Sequence, residues 1–337
     1  MRNELVGQNK LTTDHMELLK NERNLSEEEI KRAGYFTFPR MPVNRPFLRA
    51  LEREGIGQYE LKNVPGFFYD KEDQIYKFNR LADNSGIGIP IKNEKNQIVG
   101  IQIRKDEVEH KGQRYVWFSS SFADDRGRYK DGSSPGTPFD VVVPMQVKNT
   151  SVIITEGHFK AEAVAREFGC VAISVQGVGN WKGIEKTIEN IARDRKVPVK
   201  NIIIAYDSDL IEKPQVLIQA IKLGGTLNGI STDNLRMEKD PIKMIEEVQE
   251  IRQEMSKKNE KEVYVARWSE MFGKGIDDVI NQGFKEHLMS EKFEKFLGEM
   301  KEMMVENLTI DQKLDMYSRK VKGRDNTEKV KTKERER

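Results

Sequence analysis

One cysteine, Cys170, stands among the 337 residues. A single thiol excludes an intramolecular disulfide framework and any cysteine-rich zinc module in this chain. Four histidines, His15, His110, His158 and His287, are too scattered to suggest a histidine-based metal site. No apolar run approaches the ~20 residues a membrane helix needs, and mean hydropathy is -0.69. Met1 to Lys20 lacks the apolar core of a secretory leader. These absences make the cytoplasm the expected compartment and exclude a membrane partner. No G-x-x-x-x-G-K-[S/T] phosphate loop is present, so a helicase motor is not encoded here.

Charge of one sign is also missing, with 57 Lys+Arg against 55 Asp+Glu. The balance is uneven, however. Arg319 to Arg337 carries nine Lys/Arg and four Asp/Glu, a local +5 that leaves -3 for the rest. That basic stretch reads as a solvated, disordered tail, or as an added electrostatic foot on nucleic acid. The chain is long enough for one large or two ordinary domains, each with its own core.

Short helices are expected up to Arg40. Ser26 and Glu29 form an S-x-x-E capping box, and Ala33-Gly34 ends the helix it opens. Pro46 to Glu54 predicts another, stopped by Gly55. From Gly86 the pattern turns to strands. Gly86 to Ile91 and Ile98 to Arg104 flank a polar turn, a hairpin signal. Arg114 to Phe118 and Phe139 to Val143 are further strands, and together they predict an antiparallel-leaning β lobe. From Ser151 strands alternate with helices, at Val152–Thr155, His158–Phe168, Val171–Val175, Ile184–Arg195, Asn201–Tyr206, Gln215–Leu223, Asp240–Lys257 and Val263–Trp268. Repeated β-α-β crossovers predict a parallel, helix-covered sheet. Lys285 to Tyr317 reads as charged helix.

Ligands gather at the carboxyl ends of strands in such sheets. Glu156 follows the first strand, with Gly157 permitting a tight turn; Asp207 and Asp209 follow the third; a glycine loop, Gly273-Lys274-Gly275, delivers Asp277 and Asp278. Each carboxylate alone reads as a helix cap as readily as a catalyst. Jointly they repel, by roughly 4 kcal/mol for a pair ~4 Å apart at an effective dielectric near 20. A hard divalent cation is expected to compensate them, and all-oxygen ligands suit Mg²⁺ or Mn²⁺ and not zinc.

Ile153-Ile154-Thr155-Glu156-Gly157, Ala205-Tyr206-Asp207-Ser208-Asp209 and Gly273-Lys274-Gly275-Ile276-Asp277-Asp278 resemble a Toprim domain, the acidic fold of primases, topoisomerases and related nucleases, over about Lys148 to Gly283. Upstream, Ile89 to Asn93, Gly100 to Arg104, Arg114-Tyr115 and Ser119-Ser120 are similar to the β-rich segment that precedes Toprim in bacterial replicative primases. Leu25 to Glu29, Gly34-Tyr35 and Glu156-Gly157-x-x-Lys160-Ala161 resemble the primase-like Toprim proteins of plasmids, phages and integrative elements. Where replicative primases have two further Asp, this chain has Lys160 and Gly275; the mobile-element group commonly has the Lys.

The resemblance implies an α/β fold: a Toprim domain at 148–284, preceded by a nucleic-acid-binding β lobe at 81–147 and a helical or irregular region at 1–80. C-terminal helices at 285–318 and the tail at 319–337 would follow. It implies a DNA primase-type nucleotidyltransferase of a mobile genetic element, acting on single-stranded DNA and nucleoside triphosphates. Glu156 would be general base or metal ligand, with Asp207 and Asp209 holding Mg²⁺ and Asp277 as the outer or second ligand. Lys160 would neutralise a phosphate or pair with Glu156 or Asp207. Arg104, Lys105 and Arg114 would contact template and triphosphate, unless they form an ordinary solvated strand end. Trp117 and Phe118 should face opposite ways, one into the core and one as a packed or base-stacking ring. A helicase or replication initiator would be supplied in trans. The rival readings are a Toprim nuclease and a catalytically weak DNA-binding adaptor.

Overall fold

A computed structural model of the chain describes residues 11–38, 44–79, 86–108, 114–194, 196, 198–235, 238–255 and 261–308. His110 and the basic stretch from Arg319 lie outside the described residues, as does the end of the helix expected to run to Tyr317. The chain divides into two compact units, Met1–Asp209 with Ala266–Met289, and Leu210–Val265 with Ser290–Arg337.

The first unit opens with helices α1 (Thr13–Asn21) and α2 (Glu27–Ala33). The α2 capping box is formed in both directions, with Ser26 Oγ accepting from the Glu29 amide and Glu29 accepting from the Ser26 amide, and Gly34 closes the helix at φ 80°. Strand β1 (Phe36–Phe38) follows, then α3 (Asn44–Arg53) and the hairpin β2 (Phe67–Asp70) and β3 (Ile75–Phe78). These three strands fall where helix or irregular chain was expected. The expected hairpin is present as β4 (Gly86–Lys92) and β5 (Ile98–Lys105), and β6 (Tyr115–Trp117) extends it into a sheet of order β1-β4-β5-β6. A second, small sheet of order β3-β2-β7 uses β7 (Tyr129–Lys130). Both sheets are antiparallel.

Strand β4 runs between two partners and tolerates no side chain at its first residue. A Cβ on Gly86 would lie 2.2 Å from the backbone oxygen of Arg104 on β5. Backbone in a paired strand cannot swing aside as a side chain would, so Gly86→Ala is expected to destabilise the unit by about 1–3 kcal/mol. Urea unfolding checks this; an unchanged midpoint would show that the strands part without cost.

Strand β8 (Asp140–Val142) does not join the upstream sheets. It pairs antiparallel with β10 (Val171–Ser174), which runs parallel to β9 (Ser151–Thr155), itself parallel to β11 (Asn201–Ile204). The order is β11-β9-β10-β8. The α/β expectation thus holds, with an antiparallel strand at the edge. Helices α4 (His158–Phe168) and α5 (Ile184–Asp194) are the crossovers, and α8 (Ile276–Asn281) packs on α4. Between α4 and the sheet lies a core of Val142, Ile153, Ala161, Val164, Cys170, Ala172, Ala205, Trp268 and Val279. Burial pushes the Cys170 thiol up to about 12, so it is inert at neutral pH. Phe159, on α4, packs instead with Leu19, Ile30, Tyr35, Ile87, Ile89 and Ile91. The upstream helices and strands therefore share a core with the first crossover helix.

Trp117 and Phe118 do face apart, and both are packed. Phe118 meets Phe38, Phe67 and Phe78 at centroid distances of 5.4, 5.8 and 6.4 Å, while Trp117 packs against the Phe159 core. In the second unit, α6 (Pro214–Leu227), α7 (Pro241–Glu254) and α9 (Phe293–Glu306) bury Leu217, Ile221, Met244, Val248, Phe296 and Met300. Strands β12 (Glu262–Arg267) and β13 (Met289–Lys292) are sheet neighbours, so the helix expected from Lys285 starts only at Phe293. No helix among the described residues is long and apolar enough to cross a membrane.

Candidate active site

Three chain turns in the first unit converge on one cleft of about 680 Å³. Strand β9 ends at Thr155 and delivers Glu156; β11 leads to Asp207; α8 presents Asp277 in its first turn. Gly157, the cap residue of α4, has φ -142° and nothing within 4 Å of a built Cβ. That backbone suits any residue, so the glycine is not there for a tight turn. It leaves the cleft wall bare between Glu156 and Lys160.

Glu156 Oε1 accepts the Asp207 backbone N–H at 3.1 Å, tying the two strand ends together. Lys160, one turn along α4, bonds Asp207 Oδ1 and lies 3.6 Å from Glu156 Oε2. Burial pushes the Glu156 carboxyl up; Lys160 pulls it back and Asp207 pushes it further, leaving it above the ordinary value. Burial opposes the Lys160 charge, yet Glu156 and Asp207 outweigh that and hold the ammonium above its usual range. Asp277 is raised by burial and by Asp278, against Lys160 and Arg23.

Counter-charges come from three separate places. Arg23, just beyond α1, reaches Asp277 at 3.2 Å, its guanidinium 4.9 Å from the Phe159 ring centroid. Lys274 pairs with Asp209 at 2.9 Å, and its carbonyl accepts the Ser208 N–H. A Cβ on Gly275 would lie 2.4 Å from Asp277 Oδ1 and 3.1 Å from Lys160 Cε, so a side chain there would push these two side-chain ends aside. Gly177 and Gln176 close the far wall, and the Gln176 side-chain nitrogen is buried with no hydrogen-bond partner among the described residues.

The structure thus brings Glu156, Lys160, Asp207 and Asp277 to one cleft. Asp209 does not line it, although its charge acts on Glu156. Arg104 and Arg114 line a neighbouring cleft of about 740 Å³ with His15 and Glu22. Arg104 is only 4% exposed, 3.8 Å from Glu22, with its Nε unpartnered among the described residues. It is no solvated strand end. Lys105 is half-buried at the end of β5, its amide on the Arg114 carbonyl. Arg23, Gln102, Tyr115, Gln176 and Lys274 also line the main cleft and were not foreseen as site residues. Lys274 sat inside the glycine loop that delivers Asp277. Arg23 carried no signal, being 254 positions from its partner.

Behind the cleft wall, His158 Nδ1 lies 2.5 Å from Asp140 Oδ2 and its Nε2 2.5 Å from the Tyr35 hydroxyl. Burial opposes charge on this ring, but Asp140 outweighs it and raises the pKa. The chain of three locks β8 and the α2–β1 junction to the first turn of α4, which carries Lys160.

Among the described residues, no three His, Cys, Asp or Glu side chains are placed to hold a metal ion. The compensation that converging carboxylates require is supplied by Lys160, Arg23 and Lys274. As placed, this donor set does not fit a divalent cation at Glu156 and Asp207.

The cleft lies at the carboxyl ends of a mostly parallel sheet that follows two antiparallel sheets in the chain. The chain has the fold of the DnaG primase RNA polymerase domain across most of its length. The RNA polymerase domain of Mycobacterium tuberculosis primase DnaG matches it with TM-score 0.52 at 13% identity, over 96% of this chain and 96% of that one. A DNA primase domain from Pseudomonas aeruginosa gives 0.51 at 12% identity, over 88% and 79%. The zinc-binding and RNA polymerase domains of Aquifex aeolicus primase give 0.50 at 15% identity, over 85% of this chain but 57% of that one. No family model matches the sequence, and no curated protein does.

Proposed function

We propose that this chain is a DNA primase-type nucleotidyltransferase, laying short primers on single-stranded DNA from nucleoside triphosphates. The observation that carries the reading is Glu156, Asp207 and Asp277 converging with Lys160 in one cleft of a primase-core fold. Glu156, its carboxyl raised by burial, is suited to take the proton of an attacking 3′-hydroxyl. Arg23, Lys160 and Lys274 surround the place where transferring phosphates would sit and meet their charge. The Arg104 and Arg114 cleft is proposed for template or triphosphate phosphates, a contact that salt weakens. Mg²⁺ or Mn²⁺ is the cofactor that the resemblance implies, and in this reading it would arrive with the nucleoside triphosphate and not at the Glu156–Asp207 pair that Lys160 occupies. A mobile-element origin, cytoplasmic work and a helicase or initiator in trans belong to the same reading.

The test mixes purified protein, labelled nucleotides and single-stranded DNA with Mg²⁺ or Mn²⁺, beside Glu156→Gln, and reads products and template on one gel. Short products that vanish in the variant are expected. Template cleavage lost in the variant would replace primase by nuclease. DNA binding with neither activity would favour the adaptor.

A further inference from the structure

The Lys160 ammonium sits where two strand ends and a helix start aim their carboxylates. It bonds Asp207 Oδ1, lies 3.6 Å from Glu156 Oε2, and feels the charge of Asp277. Its position is not that of a surface lysine folded over by chance. The side chain is 19% exposed, and its stem passes 3.1 Å from where a Cβ on Gly275 would stand. The glycine makes room for the stem, and the Asp207 amide holds Glu156 facing it. An ammonium donates three N–H bonds and accepts none, so oxygens arranged around it present the same surface as they would to a small cation.

We infer that Lys160 is the resident cation of the Glu156–Asp207 pair, standing in the place of a divalent metal and excluding one from that pair while its charge remains. The inference goes beyond primer synthesis and rests on the ion-pair geometry alone. Two carboxylates left facing the same point, with no cation between them, repel in a partly buried site. Removing the ammonium while keeping the stem should therefore turn the pair into a metal site.

Lys160→Met tests this in the full-length chain with Mn²⁺ alone, with no nucleotide or DNA. Bound Mn²⁺ is read by electron paramagnetic resonance, and folding by circular dichroism. Lys160→Met is expected to bind Mn²⁺ about tenfold or more tightly than the parent chain. The gain should disappear in Lys160→Met/Asp207→Asn, and Lys160→Arg, which keeps the charge, should match the parent. Should Lys160→Met unfold without metal, added Mn²⁺ is expected to restore its circular dichroism while Mn²⁺ leaves the double variant unchanged. Equal Mn²⁺ affinity in parent and Lys160→Met would overturn the inference, as would tight binding by the parent that Asp207→Asn abolishes. Because no primer is made in these titrations, their outcome is separate from that of the gel assay.

Discussion

Asp207→Asn is expected to cut primer synthesis by about 10²–10³-fold while leaving the fold intact. The size is that of removing one preorganised charged group from a site where charge develops. The amide has nearly the shape of the carboxylate, and the backbone N–H of residue 207 can still donate to Glu156 Oε1. What changes is charge: Lys160 keeps at most a neutral acceptor at position 207 and is left with the Glu156 carboxylate at 3.6 Å as its ionic partner. Initial rates on single-stranded DNA, compared at equal circular dichroism and melting temperature, measure the effect. A variant that extends primers at the parental rate would remove Asp207 from the machinery.

The largest stability effect is expected far from the cleft, at Asp70. This carboxylate is fully buried at the end of β2. It accepts from Arg128 Nε at 2.8 Å and Nη2 at 2.7 Å, from Lys77 Nζ at 2.7 Å, and from the backbone amides of Glu72 and Asp73. Asp70→Ala should cost about 1.5–3 kcal/mol, because it deletes charge-assisted bonds to a buried carboxylate, while the partly exposed Arg128 and Lys77 can turn to water. The Arg128 guanidinium is foremost in holding the Asp70 carboxyl well below its ordinary value, against the opposing effect of burial. A group depressed in the folded state adds stability that is complete above its unfolded value, near ~3.9, and drains as pH falls below that toward the folded value. Urea midpoints between neutral and acid pH should therefore fall steeply in the parent and less in Asp70→Asn. Parallel curves would mean that Asp70 does not supply the acid limb.

Local signals account for what was legible beforehand. Ser26, Glu29 and Gly34 act within one helix, and His158 to Phe168 forms the predicted helix because its ends are marked by Gly157 and Gly169. Strands β2 and β3 carry little local signal, because each spans four residues and their turn contains no Gly, Asn or Pro. Gln74 takes the left-handed position there, at φ 51°. Strand β8 reads like its upstream neighbours, and only its non-local register with β10 assigns it elsewhere. The acidic residues were readable from the strand-end rule. Lys160 was legible as well, one helical turn after Glu156, but Arg23 and Lys274 were not, since they reach Asp277 and Asp209 through the tertiary fold. Part of the repulsion among the carboxylates is met by these three cations, which a count of acidic residues leaves out.

Strand β8 also bears on how such a chain can be reshuffled during recombination between related genes. A crossover just before Lys148 would hand the recipient a sheet whose β10 edge has lost its partner, and a His158 without Asp140. A crossover ahead of Phe139 would carry both, yet would still separate Phe159 from the Leu19 and Ile87 side chains that pack on it. The acidic cleft is therefore not a portable cassette: descent should pass on the first unit whole, and insertions should collect in its exposed loops.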